Sequence, residues 1–168
     1  MAPRLRGKWA LGITPRNFTW ILKEKLAVCE RPGGVGDSHR RVRRQEEIIW
    51  LRENGFGCVI SIISAPSNLH NYEELQLPYS HRAFNQENLD AYLKALYTEL
   101  HELLNRNMRV LVHAEEVSDR IFGVMGGYIR WSGLVEEATQ AIQVTERLAG
   151  RQLDPFAREV IMNAHKLR

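Results

Sequence analysis

The sequence has little or none of several features that would assign a chain to a class at once. It holds two cysteines, Cys29 and Cys58, in 168 residues, too few for a disulfide framework. No stretch reaches the roughly 18 apolar residues of a membrane helix, and no apolar signal-peptide core follows the first residues. We therefore expect a cytoplasmic protein without a transmembrane segment, in which Cys58 is a buried small apolar residue.

Motifs for common ligands are also missing. There is no internal repeat and no zinc-ligand spacing. The glycines between Arg31 and Gly36 are not followed by Gly-Lys-Ser/Thr, so this stretch is not a Walker nucleotide loop. We interpret it as a surface connection, and we expect no cofactor and no metal ion.

Composition indicates an ordinary globular chain. Its hydrophobic share is 44%, and its length suffices for one domain with a sizeable core. The net charge is +3, which is a weak argument for nucleic acid, since a solvated basic surface explains it more simply. We expect a flexible basic arm over residues 1–12 and a single domain over residues 13–168.

Apolar patterning predicts alternating strands and helices. The predicted strands are 18–22, 26–29, 56–63, 75–79 and 110–112. The predicted helices are 39–54, 88–105, one that opens near 120, 134–150 and one from Pro155 to about 166, with Asp154 as its cap.

The stretch 109–128 organises the chain. The run Val110 to Val112 reads as a buried strand, a polar loop follows from His113 to Arg120, and apolar residues at helical spacing come next. A strand and a loop that open onto a helix N-terminus form a common anion-binding backbone, because the first helical N–H groups are unpaired and the dipole favours negative charge.

This order resembles the phosphate loop of the cysteine-dependent protein tyrosine and dual-specificity phosphatases, in which His-Cys, five residues and Arg join a strand to a helix. His113 and Arg120 match, but Ala114 stands at the nucleophile position and Val117 replaces the usual mid-loop Gly. The equivalent positions here are His113, Ala114, Glu115, Glu116, Val117, Ser118, Asp119 and Arg120.

A second segment is similar to the small atypical dual-specificity phosphatases. It comprises Asn17-Phe-Thr-Trp20, Leu26-Ala27 and Arg31-Pro32. The resemblance implies an α/β fold with a central, mostly parallel sheet of four to five strands flanked by helices. It also implies that Gly123, Gly126 and Gly127 let the helix after the loop approach the sheet closely.

The resemblance implies lost chemistry as well. A thiolate attacks phosphorus and an alanine methyl cannot, and three carboxylates in the loop, Glu115, Glu116 and Asp119, repel a phosphate. Phosphatases of this family carry a general-acid Asp about thirty residues earlier, where this chain has His81 and Arg82. His81 could act as an acid near neutral pH, but a surface role explains it more simply. We therefore expect no intact catalytic residue.

Two charged clusters admit alternatives. The loop carboxylates could hold a hard cation, but ion pairs with Arg120 or Arg82 are the simpler interpretation, with Arg120 neutralised by Glu116 or Asp119.

Within the predicted helix 39–54, an apolar face is formed by Val42, Ile49 and Trp50. Its basic residues form either a solvated face or a surface for acidic partners; they are Arg40, Arg41, Arg43 and Arg44.

Three functions are compatible with the sequence. The first is a catalytically inactive phosphatase-like protein, a pseudophosphatase, that binds a protein or phospho-ligand or acts as a scaffold. The second is an enzyme of the same fold with non-standard chemistry, or a Cys-to-Ala form of a working phosphatase. The third is a basic-surface binder of nucleic acid or acidic partners. The sequence specifies neither the partner nor the oligomeric state.

Overall fold

A computed structural model describes residues 11–34, 39–66 and 68–168. Most of the predicted basic arm, residues 1–10, lies outside this part of the chain. The secondary structure is mixed α/β, as predicted. The chain divides into two compact units, which are Met1–Phe84 with Leu103–Glu116 and Asn85–Glu102 with Val117–Arg168.

The first unit contains a five-stranded sheet, within the predicted four to five strands. Its spatial order is β1-β2-β5-β3-β4. The hairpin β1–β2 is antiparallel, and the other neighbours are parallel. The strands are β1 Thr19–Leu22, β2 Leu26–Glu30, β3 Phe56–Ser61, β4 Tyr79–His81 and β5 Arg109–Ala114.

β5 occupies the centre of the sheet, which explains its continuous apolar run. Val110 to Val112 are fully buried, as expected for a strand between two parallel neighbours. Val112 lies opposite Val28 on β2 and Ile60 on β3. β2 and β5 end together, because Glu30 lies opposite Ala114. The residues that follow these two strands therefore leave the sheet at the same edge.

Two helices belong to this unit, α1 (Arg41–Glu53) and α2 (His70–Glu74). α1 buries Ile48, Ile49 and Leu51. The predicted apolar face is wrong at Val42, which is 65% exposed. The error arises because two charged positions of α1 are buried instead, as described below.

The prediction of a strand at 75–79 is also wrong. The chain forms the short helix α2 before this segment, and the strand begins at Tyr79 rather than at Leu75. Gln76 has a φ of 59°, a left-handed conformation that interrupts an extended chain. The apolar side chain of Leu77 is buried, but it lies in the turn before the strand.

The second unit is helical. Its elements are α3 Leu89–Asn105, whose last three residues belong to the first unit, α4 Asp119–Trp131, α5 Ala138–Ala149, α6 Pro155–Asn163 and a 3₁₀ helix Ala164–Leu167. Asp154 caps α6 as predicted, because its side chain accepts a hydrogen bond from the Ala157 N–H at 2.8 Å.

The glycines of α4 permit close helix–helix packing. A Cβ on Gly123 would lie 2.6 Å from Cα of Ala157 in α6. A Cβ on Gly126 would meet Thr145 and Ile161, and one on Gly127 would meet the Tyr97 hydroxyl. The nearest neighbours of these glycines belong to α3, α5 and α6, so within the second unit they permit close contact between helices.

Candidate functional site

The candidate loop connects the end of β5 to the start of α4. Ala114 is the last residue of β5, and Asp119 is the first of α4. The boundary between the two units falls inside this segment, after Glu116. The carbonyl of Ala114 accepts a hydrogen bond from the Arg31 N–H at 2.8 Å. Ala114 therefore places a methyl side chain at the end of β5.

His113 is buried and uncharged at neutral pH. Only 1% of it is exposed, and its Nδ1 lies 2.8 Å from the hydroxyl of Tyr72. Burial lowers the pKa of His113 to about 3, helped by the charges of Arg31 and His81. Burial also raises the pKa of Tyr72 well above its ordinary value, so the pair exchanges a neutral hydrogen bond.

Glu115 forms an ion pair that the sequence did not predict. Its Oε1 lies 3.3 Å from Nη1 of Arg31, the residue that follows β2. The predicted partners were Arg120 and Arg82. The parallel register explains the pairing, because Glu30 lies opposite Ala114 and the next residue on each strand must leave the sheet side by side. Glu115, the first acidic residue of the loop, is thus held beside the ends of β2 and β5.

Asp119 is bound within the second unit. Its carboxylate accepts hydrogen bonds from Arg151 Nε at 2.8 Å and from the Asp154 N–H at 2.9 Å, and Arg151 Nη2 lies 2.7 Å away. The prediction that Asp119 pairs with Arg120 or Arg82 is therefore corrected: it anchors the connection before α6.

The Asp119→Ala variant should lose about 1.5 kcal/mol of unfolding free energy, because charge-assisted hydrogen bonds to Arg151 and Asp154 disappear. Glu116→Ala is the matched control, since Glu116 is an exposed carboxylate three residues away, and it should change stability by less than about 0.5 kcal/mol. Urea unfolding of both variants measures the difference. Equal stability losses would contradict the anchoring role.

The remaining loop positions have ordinary local geometry. Val117 is not one of the non-glycine residues with positive φ in the described chain, so this β-branched residue does not adopt a left-handed conformation. Ser118 is the N-cap of α4, with φ −99° and ψ 177°, and its side chain makes no cap hydrogen bond. Glu116 and Arg120 are exposed.

His81 and Arg82, the residues considered for a general acid, are held by hydrogen bonds to backbone carbonyls. The Nε2 of His81 lies 2.8 Å from the carbonyl oxygen of Ile63. A carbonyl only accepts, so Nε2 carries the proton and donates it. The Arg82 N–H donates to the carbonyl of Ser61 at 2.8 Å. His81 therefore serves to fix the end of β4 to the segment after β3.

The predicted basic face contains fewer exposed charges than its sequence suggests. Arg40 and Arg41 are exposed. Arg43, however, forms an ion pair with Glu47, which is 1% exposed. Arg44 is buried at 8% exposure, so a four-arginine surface is incorrect. An arginine and a glutamate four residues apart can shield each other on one helical turn, which apolar periodicity does not reveal.

Sequence patterns did not predict the role of Tyr72, the ion pair of Arg31 or the burial of Arg44 and Glu47. Only the position of Arg31 had a usable signal, which is the common end of two parallel strands. In the described ranges, no group of three or more His, Cys, Asp or Glu side chains could hold a metal ion. No helix there has the length and apolar character needed to cross a bilayer.

Comparison with solved structures identifies the fold. Over 92% of this chain and 97% of the other, it matches a kinase associated phosphatase with serine at its catalytic cysteine, at a TM-score of 0.74 and 18% identity. Tk-PTP in its active form matches at a TM-score of 0.69 and 14% identity, over 89% of this chain and 96% of the other. A human tyrosine phosphatase-like serine/threonine/tyrosine-interacting protein matches at a TM-score of 0.65 and 15% identity, also over 89% of this chain and 96% of the other.

Sequence comparisons add nothing to this result. No protein-family model matches the chain, and no curated protein matches it. At identities below 20%, the structural matches define the fold of the chain and leave its chemistry to be argued from its own residues.

Proposed function

We propose that this chain, which has the fold of the protein tyrosine and dual-specificity phosphatases, acts by binding a partner and not by cleaving phosphate esters. In this proposal the protein is a cytoplasmic pseudophosphatase. Its partner is a protein or a phosphorylated ligand, and it needs no cofactor.

One observation carries the proposal: Ala114 occupies the end of β5. The side chain there is a methyl group, which has no lone pair with which to attack phosphorus. Removal of a nucleophile lowers kcat by on the order of 10⁶-fold in enzymes that form a covalent intermediate.

The general-acid side supports the same conclusion. The loop after β4 contains no Asp before Asp90, which lies in α3. His81 uses its Nε2 proton in a hydrogen bond to the backbone, so donation of that proton to a leaving group would break a structural contact. Both the nucleophile and the usual acid are therefore absent from their positions.

The comparison structures contain a precedent for the binding role. One of them is named a tyrosine phosphatase-like, serine/threonine/tyrosine-interacting protein, a phosphatase-like chain named for interaction. The basic-surface function has less support, because Arg44 is buried and Arg43 is paired with Glu47.

We expect the wild-type protein to hydrolyse an aryl phosphate such as p-nitrophenyl phosphate no faster than buffer, since no described loop residue can replace the thiolate. A colorimetric assay at pH 5 to 8 measures this. Arg120→Met is the control variant, and its rate should equal that of the wild type. Turnover above buffer that disappears in Arg120→Met would refute the proposal.

The Ala114→Cys variant tests how much of the phosphate grip survives. Measurable turnover in this variant alone would show that the loop still holds phosphate, and it would favour a phosphorylated ligand as the partner. A variant as inactive as the wild type would give no support for a phosphorylated ligand at this loop, because the missing general acid also limits turnover.

A further inference from the structure

A small niche lies in the first unit, beside the buried face of His113. It has a volume of about 10 Å³, which is close to the room that one water-sized atom needs. Arg31 and Asn68 on its wall are partly exposed, so the niche reaches solvent. Its walls include Arg31, Arg44, Asn68, Leu69, Tyr72 and His113.

Three nitrogen atoms of these walls are buried and have no hydrogen-bond partner in the described chain. They are Nε of Arg31, Nε of Arg44 and Nε2 of His113. Both arginine Nε atoms carry a proton at any physiological pH, so they can only donate. An unpaired buried donor is destabilising, and three of them around one niche indicate that an acceptor belongs there.

The hydrogen bonds of His39 leave the charge of Arg44 unbalanced. Nδ1 of His39 lies 2.9 Å from the carbonyl oxygen of Gly34, which can only accept, so Nδ1 holds the proton. Nε2 is then the acceptor for Nη1 of Arg44. His39 is therefore neutral, and Arg44 has no carboxylate within ion-pair distance among the described residues.

The electrostatic surroundings of Arg44 are also positive. Burial lowers the pKa of its guanidinium, the charges of Arg41 and Arg31 lower it further, and Glu74 opposes them. Arg31 forms an ion pair with Glu115 through Nη1, while its Nε is buried without a hydrogen-bond partner in the described chain. An anion is the ligand that would relieve both the charge and the unpaired donors.

His113 suits the same ligand. Its Nδ1 contacts the Tyr72 hydroxyl, which keeps its proton and can donate to Nδ1. Nε2 then carries the ring proton and becomes a third donor toward the niche. A neutral imidazole N–H and two guanidinium N–H groups form a donor set for one negatively charged oxygen, since arginine N–H groups bind phosphate oxygens strongly.

We propose that this niche binds one oxygen of a tetrahedral oxyanion such as phosphate, whose other oxygens remain at the solvent-facing side between Arg31 and Asn68. The site needs neither a nucleophile nor Arg120. It is therefore separate from the function proposed above, and either proposal can fail without the other.

Inorganic phosphate is the probe for the first test. In a titration followed by ¹⁵N NMR of the arginine Nε–H groups, the resonances of Arg31 and Arg44 should shift in a saturable way. The resonance of exposed Arg41 should not follow the same binding curve. This measurement uses the wild-type protein, so it does not depend on whether a variant folds.

The second test uses thermal unfolding with increasing phosphate at constant ionic strength, with chloride as the compensating anion. Phosphate should raise the melting temperature of the wild type by mass action. In Arg44→Met, which keeps an unbranched side chain without the charge, the apparent Kd should rise at least about tenfold. Arg41→Met and Arg120→Met should change it less than about twofold.

Three results would overturn the site. The first is loss of phosphate binding in Arg120→Met with retention in Arg44→Met, which would assign the anion to the loop before α4. The second is an equal effect of chloride, which would exclude an oxyanion-specific niche. The third is the absence of any saturable shift at Arg31 and Arg44, which would leave water as the partner of the three donors.

Discussion

Acidification from pH 7 to pH 5 should lower the unfolding free energy of the wild-type protein by about 2 kcal/mol more than that of a His113→Asn variant. The pKa of His113 is about 3 in the folded protein and about 6.5 in an unfolded chain. Between these values the unfolded state binds more protons, so stability falls as the pH falls. The loss begins near pH 6.5 and reaches about 4 kcal/mol by pH 3.

The variant isolates this titration from that of the carboxylates, which both proteins share. Asparagine places a polar atom near the position of Nδ1, so the Tyr72 hydroxyl retains a partner. His70→Asn is the matched control, because His70 is largely exposed, and its pH dependence should equal that of the wild type. Urea unfolding at several pH values gives the comparison. Parallel curves for wild type and His113→Asn would contradict a buried neutral His113.

Gly123→Val should destabilise the protein by about 3 kcal/mol or more. A Cβ at position 123 would lie 2.6 Å from Cα and 2.7 Å from Cβ of Ala157. The first of these atoms is backbone, so relief requires that α4 and α6 separate. Valine has a higher helix propensity than glycine, but this difference offsets less than about 1 kcal/mol of the destabilisation.

Gly57→Val is the control for this substitution. A Cβ on Gly57 would lie 3.4 Å from the end of the Met108 side chain, an ordinary contact with a flexible group. We expect a change within about 1 kcal/mol. Denaturant unfolding measures the unfolding free energies of Gly123→Val and Gly57→Val. Comparable values would show that the packing of α4 against α6 does not require Gly123.

Sequence patterns predicted the fold where burial follows a simple period. The apolar run of Val110 to Val112 gave the central strand, and the spaced leucines of α3 gave a long helix, because a fully buried strand and an amphipathic helix have distinct patterns. They failed at Val42 on α1, since Arg44 and Glu47 are buried and the apolar face is therefore displaced.

The position of the candidate loop was predictable, but the ion-pair partners of Glu115 and Asp119 were not. The order of His113, Ala114 and Arg120 located it between strand and helix. Its ion pairs join Glu115 to Arg31, 84 residues earlier, and Asp119 to Arg151, 32 residues later. Ion pairs over such separations depend on the tertiary structure, so they cannot be predicted from the spacing of residues in the sequence.

The lengths of the outer strands affect how the protein behaves when it is concentrated. β1 has four residues and β4 has three, and these are the two edges of the sheet. Short edge strands offer few unpaired backbone groups as a template for another chain. The apolar centre of β5 is shielded in the native state. Precipitation on storage should therefore follow unfolding, and conditions that stabilise the fold should also keep the protein in solution.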